Sequence, residues 1–193
     1  MNRDAYKAAH PRYTAFLAED VHTAGVRVRP ETYHWQAEVE AHARAGRYDV
    51  VAEEALADPA AFNATAAAYR QAGYRIEFVA LAVPEAVSQL GVLDRYLRLA
   101  EEDRARYVSW DNHDTCARAL LDVLKDIEAE NLAERVIVVR RGGAVRQRAY
   151  ARRGVGRPPG AREVLLAERA RTWDPAETGA FRRQLADADP AHP

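Results

Sequence analysis

The sequence predicts an α/β fold in which helices flank a mostly parallel sheet. Three observations carry this. YRIEFVALAV (74–83) is a continuous apolar run, the pattern of a strand buried on both faces. RVIVVR (135–140) and YDVVAE (48–53), both shorter, repeat the pattern. Long helical segments separate these runs, and strands alternating with helices read as parallel units whose ligands bind beyond the strands' carboxyl ends.

Each element follows from local signals. YTAFLAEDV (13–21) reads as a short helix, and TYHWQAEVEAHARAG (32–46) as a longer one with Glu31 near its start and Gly46 as a stop. YDVVAE is a short strand ending in a carboxylate. PAAFNATAAAYRQAG (59–73) is a helix with Pro59 in its first turn and Gly73 at its end. After the strand at 74–83, Pro84 opens a long helix over 84–102. DRARYVS (103–109) is a polar loop, and 110–131 is a second long helix. RVIVVR follows, and Gly142–Gly143 predicts a hairpin into AVRQRAY. Residues 151–160 read as a linker, followed by two peripheral helices and a frayed tail at 188–193. This divides the chain into a domain over 1–150 and a C-terminal helical extension over 151–193.

With 193 residues the chain is long enough for a real core. Its net charge of −1 gives no push toward nucleic acid or an anionic membrane. No apolar run reaches membrane-spanning length, and no signal peptide is visible. Cys116 is alone, which excludes an internal disulfide and leads to a cytoplasmic expectation. Cys116 lies in a helical pattern and reads as a small core residue. His10 and His113 read as structural, with no spacing that makes them a metal pair. No metal-ligating set is expected.

Several blocks, in order, carry a resemblance: NRDAYKAAHPRY, YDVVAE, GYRIEFVALAVPEAVSQLGVLDRY, RARYVSWDNHD and RVIVVRRGGAVRQ. Together, over about residues 2–150, they resemble the zeta-toxin family. The third block is the most specific. The resemblance implies a P-loop-kinase-like fold and an ATP- and Mg2+-dependent phosphotransferase acting on a sugar hydroxyl of UDP-N-acetylglucosamine or a related acceptor. It also implies an antitoxin-like partner.

Carried over residue by residue, Asp4 matches the general base for the acceptor hydroxyl. Arg95 and Arg106 match the arginines on the transferred phosphoryl group. Glu53 matches the acid that closes the second strand, near metal and phosphates. Glu38 or a neighbour matches an acidic sugar contact, and Thr65 a further substrate contact. These types suit the chemistry, since phosphoryl transfer needs positioning and charge neutralisation more than covalent chemistry. Each also has a plainer reading. Asp4 caps a helix; Arg95 pairs with Asp94 or Glu101 on the surface; Arg106 sits in a polar run with Glu102 and Arg104; Glu54 rivals Glu53.

The sequence departs from the family in two places. Glu53 is followed by Glu54-Ala55-Leu56 rather than a Gly-Thr stretch. No G-x-x-x-x-G-K-[ST] loop occurs, and the lysines, Lys7 and Lys125, follow no glycine. That loop supplies the N–H groups and Lys that hold a nucleotide's phosphates. The expectation is an N-terminally truncated form that lacks a central strand and the phosphate loop. Two other functions compete with a kinase. One is a non-catalytic remnant that binds a nucleotide sugar or an antitoxin-like partner. The other is nucleic-acid binding through the basic stretch 140–159, a weak signal in a chain without net positive charge.

Overall fold

The structure, a computed structural model, describes residues 1–100, 107–140, 145–150 and 159–188. Four helices come first: α1 (Arg3–Ala9), α2 (Tyr13–Glu19), α3 (Val21–Arg27) and α4 (Arg29–Gly46). The helix expected over 13–21 is thus two helices. Asp20 is the reason: its carboxylate accepts from the His22 N–H at 2.9 Å and from Thr23 Oγ1 at 2.8 Å, capping a new helix. Both contacts hold its carboxyl below the usual range, the Thr23 hydroxyl most strongly. At the end of α4 the left-handed residue is Arg47, with φ of 57°, rather than Gly46.

Then come α5 (Pro59–Gln71), β1 (Glu77–Leu81), α6 (Glu85–Ala100), α7 (Trp110–Glu130), β2 (Arg135–Val139), β3 (Val145–Tyr150), α8 (Ala161–Ala170) and α9 (Pro175–Ala188). Asp58 caps α5 through the N–H groups of Ala60 and Ala61, and Ser109 caps α7 through the Asn112 N–H. Asn131 ends α7 in the left-handed region.

β1 and β2 are parallel with Phe78 opposite Val136 and Ala80 opposite Val138. β2 and β3 are antiparallel with an irregularity between Val138 and Val139. The expected hairpin is therefore present as a strand pair, while its Gly142–Gly143 turn lies outside the described residues. So do Arg106, residues 141–144 and 151–158 of the basic stretch, and the tail over 189–193.

The strand expected over 48–53 does not enter this sheet. It makes one parallel bridge, Glu53 to Asn2. Val51 is 80% exposed. An apolar run becomes a strand only where a neighbour completes its ladder, and among the described residues its neighbour is Met1–Asn2.

The main core gathers Val123, Leu124 and Ile127 of α7, Val136 and Val138 of β2, and Ala161 and Leu165 of α8. Phe62 of α5 meets Phe78 of β1 edge to face at 5.6 Å. The opposite face of β1 is uncovered among the described residues: Val79 and Leu81 are 57% and 60% exposed. Leu165 has no exposed surface. Leu165→Ala should cost about 2–5 kcal/mol of stability, read as a lower urea midpoint.

Downstream of α8, Arg171 grips Glu177 with both guanidinium nitrogens, one at 2.6 Å. That grip, with the Asp174 N–H, lowers the Glu177 carboxyl from 4.5 to about 2. A depressed acid stabilises the fold above its unfolded pKa and loses that contribution as pH falls through the folded one. The difference in urea midpoint between the native chain and Glu177→Gln should therefore be present near neutral pH. It should fade between pH 4.5 and about 2.

Candidate functional site

Asn2 is the residue around which the site forms. Its Oδ1 accepts from the Asp4 N–H at 2.8 Å, capping α1, and its Nδ2 donates to Glu53 Oε2 at 2.7 Å. The Glu53 N–H in turn donates to the Met1 carbonyl at 2.9 Å. One residue thus ties together two carboxylate-bearing positions far apart in sequence. The helix cap is Asn2, so the Asp4 carboxylate, in the first turn of α1, is not consumed by capping. It meets Lys7 Nζ at 3.4 Å and keeps about a third of its side chain exposed. Glu53 is exposed.

Beneath this pair lies a polar network. Gln36 Nε2 donates to Glu40 Oε1 at 2.7 Å and to Glu54 Oε1 at 3.1 Å, and its Oε1 accepts from Arg3 Nε at 2.8 Å. Arg3 also pairs with Glu54 at 3.4 Å and lies 4.4 Å over the Tyr33 ring. Arg44 pairs with Glu40 at 3.7 Å and covers the Tyr69 ring at 4.9 Å. Burial, followed by the Glu40 charge, pushes the Tyr69 phenol up. Buried polar groups are tolerated when each finds a partner, and such a network fixes relative positions. Here it locks α1, α4 and the 53–54 segment to one another.

The other expected residues lie elsewhere. Thr65 is half-buried on α5, and Glu38 is on the solvent side of α4, where its carboxylate meets His34 at 3.5 Å. Glu38 is therefore on the opposite face from Gln36 and Glu40. Arg95 is on α6. Of its two surface alternatives, Asp94 pairs with Arg98 at 3.3 Å, and Glu101 lies outside the described residues. Arg95 Nε is buried and has no hydrogen-bond partner among the described residues. The Nε atoms of Arg135, Arg162, Arg169 and Arg171 are in the same state, so this does not set Arg95 apart.

Two buried histidines act as braces. His113 Nε2 meets Ser88 Oγ at 2.9 Å and its Nδ1 meets Asp114 Oδ1 at 2.9 Å, while Gln89 donates to the same carboxylate at 3.1 Å. The His113 contact first, then Gln89, holds the Asp114 carboxyl low. This pins α6 to α7 and sets the helix that carries Arg95. His10 stacks on Trp35 at 5.4 Å and pairs with Glu31, joining α1 to α4. Cys116 is half-buried, and burial pushes its thiol up, as for an inert packing residue.

Asn2, Arg3, Gln36 and Glu40 were not among the expected site residues, and Glu54 entered only as a rival of Glu53. A signal for part of the network exists. Thr32, Gln36, Glu40 and Arg44 recur every fourth residue, a polar stripe on one helix face. Among the described residues no group of three or more His, Cys, Asp or Glu could hold a metal, and no helix is long and apolar enough to cross a membrane.

The fold has solved counterparts. The chain is similar to a chain from the PezAT chromosomal toxin–antitoxin system of the human pathogen Streptococcus pneumoniae, with a TM-score of 0.81 and 17% identity. That likeness covers 97% of this chain and 74% of the other, and it shows a shared P-loop-kinase-like fold. No curated protein matches the chain by sequence. The zeta toxin family model matches residues 1–152, most of the chain, and the chain belongs to the zeta toxin family.

Proposed function

We propose that the chain carries the acceptor side of a phosphotransferase, positioning a sugar hydroxyl of UDP-N-acetylglucosamine or a related nucleotide sugar. The observation that supports this best is the Asn2 clamp, which sets Asp4 and Glu53 beside one another with their carboxylates accessible. Asp4 takes the hydroxyl proton as the acceptor oxygen becomes nucleophilic. Glu53 accepts a hydrogen bond from the acceptor and fixes its orientation. Arg95 supplies a guanidinium that offsets charge on the transferred group, and Arg106 a second cation. Thr65 is a further acceptor contact, whereas Glu38, on the outer face of α4 with His34, faces away from the Asn2 clamp.

ATP and Mg2+, which the family implies, do not find their holding set among these residues. Phosphates need a cradle of N–H groups with a Lys, and Mg2+ is held by one or two carboxylates together with those phosphates. Here Lys7 is paired with Asp4, and Lys125 is the other lysine. The roles above are therefore those of the acceptor side alone. The likeness to a toxin–antitoxin protein also supports an antitoxin-like partner.

Calorimetric titration tests the reading. UDP-N-acetylglucosamine should bind the chain, and Asn2→Ala should weaken binding by about tenfold or more, because Asp4 and Glu53 lose their common anchor. Absence of binding by the native chain would sink it.

A further inference from the structure

Lys7 stands one turn after Asp4 on α1, and its Nζ lies 3.4 Å from Asp4 Oδ1. Both side chains remain partly exposed. The separation is longer than the roughly 2.7–2.9 Å of a tight charge-assisted hydrogen bond. The ammonium is therefore beside the carboxylate without being locked on it. It also approaches α3, where a methyl group added at Gly25 would lie 4.0 Å from Nζ, an ordinary van der Waals distance. α1 and α3 thus hold one cation next to the carboxylate of the Asn2 assembly. Among the described residues Asp4 is its hydrogen-bond partner, and an ammonium has three donors.

The residue type bears on what this cation does. Of the 28 lysines and arginines in the chain, only Lys7 and Lys125 are lysine. An arginine at position 7 would present a planar fork that grips both oxygens of a carboxylate. Arg171 grips Glu177 in this way. At Asp4 such a grip would compete with any hydroxyl brought to the carboxylate. A lysine is a compact point charge on a flexible stem, so it can share a carboxylate oxygen with a ligand. An exposed pair is also weak, and a ligand rearranges it at little cost.

We propose that Lys7 is an acceptor-binding residue that reads the sugar. A hydroxyl bound at Asp4 lies within reach of the ammonium. So does an oxygen borne by the adjacent ring carbon, as a hydroxyl or as the carbonyl of an acetamido group. Asp4 accepts from the first group, and Lys7 donates to the second oxygen. The pair selects a ring with two neighbouring oxygens over one with an isolated hydroxyl. This rests on the acceptor reading of Asp4 and adds to it the chemical feature that the site recognises.

Calorimetric titrations of the full chain with UDP-N-acetylglucosamine and with UDP, which lacks the sugar, test this. The native chain should bind the sugar nucleotide more tightly than UDP. Lys7→Met keeps the stem and removes the charge. It should lower affinity for UDP-N-acetylglucosamine by about tenfold or more, the effect of losing a hydrogen bond to a charged group, and leave that for UDP within about twofold. A merely structural ion pair would not move this ratio. Circular dichroism should be unchanged, because Met and Lys are similar helix formers. Should Lys7→Met fail to fold, Lys7→Gln is the second variant, with a smaller loss in the same direction. The proposal is overturned if the folded variant binds UDP-N-acetylglucosamine as the native chain does. It is also overturned if both ligands weaken equally, which would place the ammonium on the diphosphate. Either result leaves the acceptor reading standing. Absence of nucleotide-sugar binding by the native chain would remove the acceptor reading and this proposal together.

Discussion

Asp4→Asn should reduce phosphoryl transfer by about 10²–10⁴-fold while leaving acceptor affinity within about twofold. The amide keeps the shape of the carboxylate but cannot take the hydroxyl proton. The local structure is expected to survive, because Asn2 holds the Asp4 backbone N–H rather than its side chain. The side chain's pairing with Lys7, at 3.4 Å and partly exposed, contributes at most about 1 kcal/mol. A large rate loss with little change in melting therefore separates chemistry from folding. Transfer is measured on a form of the chain that also carries a phosphate-binding loop. Wild-type turnover in that variant would remove Asp4 as the base.

Arg95→Ala should lower turnover by about 10³-fold or more, the effect of removing a guanidinium aimed at a transferring phosphoryl group. Arg95→Lys should recover only part of the loss, since a point charge does not reproduce a two-oxygen fork. Arg98→Ala is the control on the same helix. Arg98 is mostly exposed and already paired with Asp94, so its removal should change little. Equal losses at both positions would mean damage to α6 rather than a role for Arg95.

The elements that were legible in the sequence are those whose signals are local. The continuous apolar runs of β1 and β2, Pro59 at the start of α5 and the long apolar faces of α6 and α7 each report their own partners. The segment 48–53 has the same apolar look, but its strand character depends on neighbours, and among the described residues only Met1–Asn2 pairs with it. Asp20 followed by Thr23 was a cap signal inside a run that reads as one helix. In the site, Asp4 and Glu53 were visible through the family's motifs, and the structure adds the Asn2 clamp between them. The face of α4 was harder to read. Tyr33 and Val39 lie toward solvent, while Gln36 and Glu40 are buried. An apolar-inside rule assigns this helix the wrong phase, because its inner face serves a hydrogen-bonded network rather than a core.

The central claim is that Asn2 assembles an acceptor site from Asp4 and Glu53. Titration of UDP-N-acetylglucosamine into the isotope-labelled chain, followed by amide and guanidinium resonances, tests it most directly. The account predicts shifts concentrated at residues 2–5 and 53–54 and at the Arg95 side chain, with Gln36 and Glu40 following weakly through the network. No shifts at saturating ligand, or shifts confined to surfaces away from Asn2, would contradict it.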